Sequence, residues 1–590
     1  MTEHITALHS SVNHVLGLAD FFLYERWEGP WFEKETWEKL MKGTRITLTM
    51  LGALLLIYEV RARRLRERIP ERFRRRIAYV MTALAFLVYF DFFNPNVRYD
   101  QYYHRHEFYH YYLGSKYSKE LGYLRLYECT MIAEVELGRG ASVHKRELRD
   151  LRVDLITPVD ATYVFSDPGQ CKNHFTPERW EAFKKDIDWF YHSAAGSYWE
   201  GMQKDHGYNP PPVWTMTGKF FGSFAPAGDT YFKILACIDI LFHIGTVLMF
   251  GWAFGWRAMA VATVFWGCNA PANFYWTGGA FLRQDWIFLL IACLCLLRKR
   301  KFFLAGVALT WSMLLRIFPG LFIIGIAIII GIQLIENIRK KKPARLIDYL
   351  HPDHRRFIAG CAVCLGVLVP ASMVFTEGVQ AYKDFYEHTL KTHQRTPLTN
   401  TMGLETMLEH DWKGRMRFTR DDNLDDPFET WKADRLERFK EMKVVFFGIN
   451  LVVLAWTAWA LRRTKLLWVG LALSTPMVMS LTNVTCYYYS FCMVLGALIL
   501  SRRQIGPPLL VTSGVSQILL YAPNGYYWVD DRYNAQSYLF YALGLVVLFV
   551  YSRPFSLGRL KAWWDGKPEP KHKLKAFVSE LPPKNATAES

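Results

Sequence analysis

Apolar residues in this chain gather into long uninterrupted runs, with polar residues confined to the connections between them. Gly320–Leu334 and Ile358–Phe375 contain no charged side chain at all. About 20 apolar residues in helical form span the ~30 Å hydrocarbon core of a bilayer, and only helices or closed barrels satisfy their backbone there. The pattern predicts thirteen such helices, near 44–60, 77–93, 232–252, 255–275, 285–297, 302–318, 320–337, 358–375, 444–461, 466–482, 485–500, 507–521 and 536–551. The expected fold is therefore an all-α polytopic membrane protein.

The connections alternate in charge. Arg61–Arg76 holds nine arginines, Arg298–Lys301 is four bases in a row, Arg339–Arg356 holds seven bases, Arg462–Lys465 three and Ser501–Gln504 two. With the thirteen helices threaded in order, all of these fall on one side, as does the basic tail 552–590. Lys and Arg near span ends resist translocation, so that side is expected to be the cytoplasm, with the N-terminus outside and the C-terminus inside. An amphipathic segment 1–43 then lies outside, followed by the first two spans (44–93), a first outer loop 94–231, spans three to eight (232–375), a second outer loop 376–443 and the last five spans (444–551). The loops are rich in aromatics, among them Trp180, Trp189, Trp199, Trp214, Trp412 and Trp431, a composition that suggests helices lying at the headgroup level.

Composition refines this picture without changing it. The 590 residues carry a formal charge of +17 and are 51% hydrophobic, which rules out collagenous, disordered and ordinary soluble classes. A mean hydropathy of +0.02 is the average of apolar spans and polar loops. The positive excess sits in the short cytoplasmic connections, so it reads as a topology signal and a contact for anionic lipid headgroups, with no nucleic-acid partner implied. Most cysteines fall in apolar runs, Cys361 and Cys364 included, where they serve as small apolar side chains. Cys129 and Cys171 share the first outer loop and are placed to pair in an oxidising compartment. No signal peptide is visible in Met1–Gly43, which carries seven acids against four bases.

Candidate chemistry concentrates at the outer side. After the second span comes Asp100-Gln-Tyr102-Tyr103-His104-Arg-His106-Glu107-Phe-Tyr-His110-Tyr111. In a helix, Asp100, His104, Glu107 and Tyr111 share one face. A carboxylate walled by rings beside a membrane has its pKa raised, which suits a general base; the competing reading is an interfacial helix anchored by its tyrosines. Arg283, Gln284 and Asp285 mark the outer mouth of the fifth span, Arg316 the outer end of the sixth, and Tyr487, Tyr488 and Tyr489 the turn after the tenth. An arginine at membrane depth costs about 2.5–3.5 kcal/mol on insertion scales and normally lines a cavity or meets an anion. Asp239 and His243, four residues apart in the third span, read as a satisfied internal pair.

These features resemble the GT-C-type integral membrane glycosyltransferases, most closely glycosyltransferase family 87, the polyprenyl-phosphate-mannose-dependent mannosyltransferases. The similarity is carried by Gln284, the apolar Ile287–Leu297, the basic break Arg298–Lys301, the span Leu304–Leu315 and the ending Arg316-Ile-Phe318-Pro319. Looser echoes are Tyr208-Asn-Pro210-Pro211-Pro212-Val-Trp214 and Tyr487–Tyr489. The first span, the long loop 94–231 and the His-rich run 104–110 have no family counterpart, and Arg316 stands where Lys is more usual. The resemblance implies a GT-C-like bundle that transfers a sugar, mannose in the family, from a polyprenyl-phosphate donor to a glycan, glycolipid or protein acceptor with inversion. Its location would be the outer face of a bacterial cell inner membrane. It implies Asp100 as the base, with Glu107 and His104 as alternatives. Arg283, Gln284 and Arg316 would hold the donor phosphate, and Tyr102, Tyr103, His106, Asp285 and Tyr488 would bind sugar or acceptor. No cofactor and no metal is expected beyond the lipid-linked co-substrate. A transporter and a lipid-linked acyltransferase with a histidine base are the rival classes.

Overall fold

The computed structural model describes residues 27–65, 69–97, 102–161, 163–340, 349–392, 396–424, 426–520 and 528–552. Asp100, most of the N-terminal segment and the basic tail lie outside them. The chain is an all-α membrane protein with two short antiparallel ribbons, Glu147–Asp150 with Leu155–Pro158 and Thr401–Met402 with Val484–Thr485. Six helical stretches are long and apolar enough to cross a membrane: Lys34–Ala62, Asp229–Cys268, Phe318–Arg339, Pro352–Phe375, Glu429–Leu461 and Val529–Tyr551. Shorter apolar helices stand beside them at Asp285–Arg298, Phe302–Leu315, Leu467–Leu481, Cys486–Leu500 and Gly506–Leu520.

The longest stretch, Asp229–Cys268, is a folded hairpin. In a straight helix His243 and Trp266 would stand about 34 Å apart, yet their rings meet at 4.5 Å. The reversal occurs at Gly255, whose φ of 78° lies in the left-handed region that glycine adopts without strain. The two apolar runs expected at 232–252 and 255–275 are thus two antiparallel legs. The helices Phe302–Leu315 and Pro352–Phe375 approach closely enough that a Cβ on Gly360 would sit 2.0 Å from the Phe303 carbonyl oxygen. Such backbone contact is how small residues bring apolar helices together in lipid. Cys361 lies in this seam, its thiol donating to the Gly306 carbonyl at 3.5 Å, as a packing cysteine does.

Contacts at the helix ends agree with the alternation of charge. Glu59, ending the first apolar helix, receives Arg74 at 2.6 Å, Arg257 at 3.4 Å and Arg503 at 3.7 Å. These three arginines come from connections expected on the same side. Arg300 meets Asp353 at 3.2 Å, again joining two connections of one side. At the opposite ends, Arg45 pairs with Asp91, and Ser312 donates to the Trp286 carbonyl at 2.8 Å.

The first outer loop folds differently from the expectation of surface-lying helices. Its helices, chiefly Leu126–Glu134, Pro177–Ser193, Gly196–Met202 and Pro212–Gly222, enclose an aromatic core. Trp180, Trp199 and Trp214 are 5%, 1% and 0% exposed, and in the second outer loop Trp431 is 1% exposed; only Trp412, at 60%, lies open. The aromatics were enriched for burial against one another, not for a headgroup interface. Cys129 and Cys171 form a disulfide that ties Leu126–Glu134 to the short helix Gly169–Lys172. Buried charges are paired: Arg146 grips both Glu134 oxygens at 2.8 Å while the Trp199 indole donates to the same carboxylate at 3.0 Å. Lys116 meets Asp186 at 2.7 Å.

Candidate functional site

Four parts of the chain converge at one end of the helix bundle. The turn before the helix Asp285–Arg298 is pinned from behind by Asp239, whose two carboxylate oxygens accept from the Arg283 and Gln284 amides at 3.0 and 3.1 Å. Asp239 therefore serves the backbone and does not pair with His243, contrary to the reading of the sequence. His243 packs instead against the stacked rings of Tyr89 and Trp266, at 5.3 and 4.5 Å. The same turn rests on the first outer loop through His104, whose amide donates to the Gly279 carbonyl at 2.8 Å. Gly279 is required there: its φ is 67°, and a Cβ would fall 2.1 Å from the Tyr102 carbonyl oxygen.

So held, Arg283 points into a nest of oxygen atoms and rings. Its guanidinium lies 2.9 Å from one Glu107 oxygen and donates to the other at 3.4 Å. It donates to the Tyr111 hydroxyl at 3.0 Å and lies over the Tyr111 and Tyr487 rings at 4.6 and 5.6 Å. Tyr111 passes its own proton to Asn209 at 2.8 Å. Glu107 and Tyr111 reach one guanidinium because they are four residues apart on a helical segment that begins at Arg105 and runs through a wider π turn, Phe108–Leu113. The shared face expected for His104, Glu107 and Tyr111 is thus present from Glu107 onward, while His104 precedes the helix in extended conformation.

Arg316 is placed differently. It follows the helix Phe302–Leu315 and is 7% exposed. One of its terminal nitrogens donates to the neighbouring Leu315 carbonyl at 2.7 Å. The other is buried without a hydrogen-bond partner, and among the described residues no carboxylate pairs with it. Its guanidinium stands 5.7 Å from the Trp214 ring, and the Trp214 indole donates to the Leu282 carbonyl at 3.0 Å, tying the first outer loop to this turn. Asp285 stands at the start of the facing helix. One of its oxygens accepts from the Trp286 amide at 2.7 Å, and the other is buried and unbonded. Tyr488 closes this end against Trp286, Phe318 and Tyr487, with ring centroids 5.5, 4.9 and 4.6 Å away. Gln284 donates to the Thr277 hydroxyl at 3.0 Å.

The remaining candidates go elsewhere. Tyr102 packs on Phe93 and Phe274, and Tyr103 on Phe108 and Phe232 with its hydroxyl bonded to Asp229; both are core residues. His106 faces Asp205 at 3.4 Å and stacks 4.5 Å from His110. Ligand atoms of His106, His110 and Asp205 lie within 4.8 Å of one another, but both nitrogens of His110 are engaged, with the His106 carbonyl and the Tyr127 hydroxyl, each at 2.7 Å. Burial lowers the His110 imidazole to about 4, with the positive field of His106 adding to it. Burial likewise lowers His104, to about 3, helped by His106 and Arg283, so both rings are neutral near pH 7.

Sequence reasoning missed Asn209, although it lies within the stretch Tyr208–Trp214, and Thr277, a lone polar residue with no motif around it, and it missed that Glu107 and Arg283 neutralise each other. The i, i+4 spacing of Glu107 and Tyr111 was visible; their common partner 172 positions beyond Tyr111 was not. Comparison of the chain with protein-family models, with curated proteins and with solved structures finds no match.

Proposed function

We propose that this chain is a GT-C-type glycosyltransferase of the membrane, using a polyprenyl-phosphate sugar at the outer ends of its helices. The observation that carries the reading is Arg316: a buried guanidinium with an unbonded nitrogen and, among the described residues, no carboxylate within salt-bridge distance, in the field of Asp285, whose second oxygen is also unbonded. A buried lone charge is costly, and a planar guanidinium is suited to an oxyanion such as a lipid phosphate. The paired Arg283 instead braces the Glu107–Tyr111 helix against the turn.

In the proposed reaction an acceptor hydroxyl oxygen attacks the anomeric carbon. The bond from that carbon to the phosphate oxygen breaks, and polyprenyl phosphate leaves with the electron pair onto Arg316. The hydroxyl proton passes to a carboxylate, Asp100 by the family resemblance or Asp285 by its unengaged oxygen; both oxygens of Glu107 already serve Arg283. Stabilising the departing charge in a site shielded from water is a large share of the barrier reduction in such reactions. Tyr487 and Tyr488 offer ring faces for the sugar. Mannose is the sugar to test first. The thirteen-crossing topology, the external N-terminus and a bacterial inner membrane belong to the same reading; the three arginines gathered at Glu59 support only the grouping of those helix ends on one side.

The experiment is transfer of radiolabelled mannose from polyprenyl-phosphate mannose by the protein in proteoliposomes, with a membrane extract as acceptor. Label should appear in product and fall about 100- to 1000-fold in Arg316→Gln. Transfer by Asp100→Asn but not Asp285→Asn would assign the base to Asp285. Absence of transfer from mannose, glucose and galactose donors alike would end the reading.

A further inference from the structure

A second cluster of buried polar atoms lies away from Arg283 and Arg316, where the second outer loop meets the last apolar helix. His410 follows the short helix Leu404–Glu409, and Asp530 and Asp531 occupy the first turn of the helix Val529–Tyr551. The His410 Nε2 stands 3.5 Å from Asp531 Oδ1, and one ligand atom from each of the three residues lies within 4.8 Å of the others. His410 Nε2, Asp530 Oδ1 and Asp531 Oδ1 are each buried and without a hydrogen-bond partner, although Asp530 and Asp531 are 2% and 3% exposed. Three orphaned polar atoms on residues clustered this closely are expensive unless something bonds them.

The opposite oxygens are fixed in place. Asp530 Oδ2 accepts from the Met416 amide at 3.0 Å and the Trp431 indole at 3.2 Å. Asp531 Oδ2 accepts from the Trp528 amide at 3.2 Å, with Arg415 at 3.7 Å. Each carboxylate is thus oriented by one oxygen and presents the other, the arrangement that outer partners impose on metal ligands. Arg415 is the guanidinium in salt-bridge contact with the pair among the described residues, at 3.7 Å from Asp531, while Arg417 and Arg435 add their field from farther off.

We propose that His410, Asp530 and Asp531 form a divalent-cation site of the zinc or manganese class that clamps the second outer loop to the last apolar helix. One imidazole and two carboxylates are a donor set for those ions, whereas calcium and magnesium take oxygen alone. Ligands about 2.0–2.2 Å from a tetrahedral zinc stand roughly 3.3 Å apart. The His410–Asp531 separation already matches, and the widest separation closes with a small shift of one side chain. The clamp has a mechanical consequence. The segment leading to His410 pairs at Thr401–Met402 with Val484–Thr485, the strand that enters Tyr487 and Tyr488. Gly403 within it donates to the Ser537 hydroxyl at 3.2 Å. A cation at His410 therefore holds the far end of the strap that positions the tyrosine wall. The proposal stands on its own donor atoms and does not depend on glycosyl transfer.

The test strips the purified full chain with EDTA, reloads it separately with Zn²⁺ and Mn²⁺, removes the excess and counts ions by mass spectrometry. One ion per chain, a rise in thermal midpoint on reloading, and a loss of apparent affinity of about 100-fold or more in His410→Gln and Asp530→Asn are expected. His106→Ala should keep the ion. Wild-type protein that retains no ion, or His410→Gln binding as tightly as wild type, overturns the site and leaves a shared proton between His410 and Asp531 as its explanation. Should the variants fail to fold, Co²⁺ loaded into wild type keeps the question open to measurement. The visible spectrum of a nitrogen- and oxygen-ligated ion supports the site; a thiolate band or no spectrum refutes it.

Discussion

Replacing Arg316 by glutamine separates an anion-binding arginine from a structural one. In the structure the guanidinium makes a single protein hydrogen bond, to the Leu315 carbonyl at 2.7 Å, and has no carboxylate within salt-bridge distance among the described residues. Removing it breaks no salt bridge among the described residues and withdraws only unbonded Coulombic support from Asp285, so the protein should lose about 1–2 kcal/mol, less than a broken buried pair costs. Arg283→Gln is the control. It leaves Glu107 buried with its cation gone, which costs about 3–5 kcal/mol when a buried pair is broken. For the ligand the order reverses. A phosphate held by two charge-assisted hydrogen bonds of about 1.5 kcal/mol each loses roughly 3 kcal/mol in Arg316→Gln, or about 150-fold in Kd. Arg316→Lys keeps the charge but not the planar fork, and should fall between. Trp214, 5.7 Å from the guanidinium, and Trp286 beside it supply the signal: polyprenyl phosphate is titrated into nanodiscs holding each variant while indole fluorescence is followed, with thermal midpoints taken on the same samples. The reasoning fails if Arg316→Gln melts as early as Arg283→Gln yet binds polyprenyl phosphate within twofold of wild type.

Glu107→Gln should destabilise by about 3–5 kcal/mol through the unpaired Arg283, and the double change Glu107→Leu, Arg283→Met should recover much of that loss, read as thermal midpoints in a double-mutant cycle. Glu128 is buried in the first outer loop, and burial lifts its carboxyl to about 7, partly offset by Arg152. Its folded pKa thus lies above its unfolded value near 4.5. The folded state holds the proton longer, so its stability contribution is full below about 4.5 and is lost as pH rises to about 7. Glu128→Gln should therefore match wild type at pH 4 and exceed it by about 1–3 kcal/mol at pH 8, checked by thermal melts across that range; equal gains at both pH values would exclude the mechanism. Cys129→Ser opens a loop of sequence separation 42, for which chain entropy assigns about 4 kcal/mol. Its expected effect is faster hydrogen exchange confined to the first outer loop, with the apolar helices unchanged.

The membrane helices were legible because their signal is local. A run such as Ile358–Phe375 declares itself without reference to any other part of the chain, and it is one of six helical stretches long and apolar enough to cross a membrane. The reversal at Gly255 falls at the break between the runs expected at 232–252 and 255–275. Misreading of the outer loops has a physical source: an indole buried in an aromatic core and an indole at a headgroup interface demand the same residue type. Trp199 and Trp214 differ from an interfacial belt only in what surrounds them, which is non-local information. His410 and the Asp530–Asp531 pair show the same limit, since 120 positions separate groups whose atoms meet within 4.8 Å.

At the candidate site the sequence singled out both arginines and could not rank them. Arg283 precedes one apolar run and Arg316 ends another, each at a polar boundary, so hydropathy treats them alike. Their chemistry diverges on partners supplied from elsewhere. Glu107 reaches Arg283 at 2.9 Å from a loop helix, while the corresponding approach to Arg316 is taken by the neutral ring of Trp214 at 5.7 Å. The first arginine has its counter-charge in direct contact and is therefore suited to hold the turn; the second has an acid, Asp285, only in its field and not bonded to it. Arg146, Lys116, Arg283 and Arg435 each meet a carboxylate directly, whereas Arg316 makes no salt bridge among the described residues, and it is this difference, set by partners distant in the chain, that the sequence could not show.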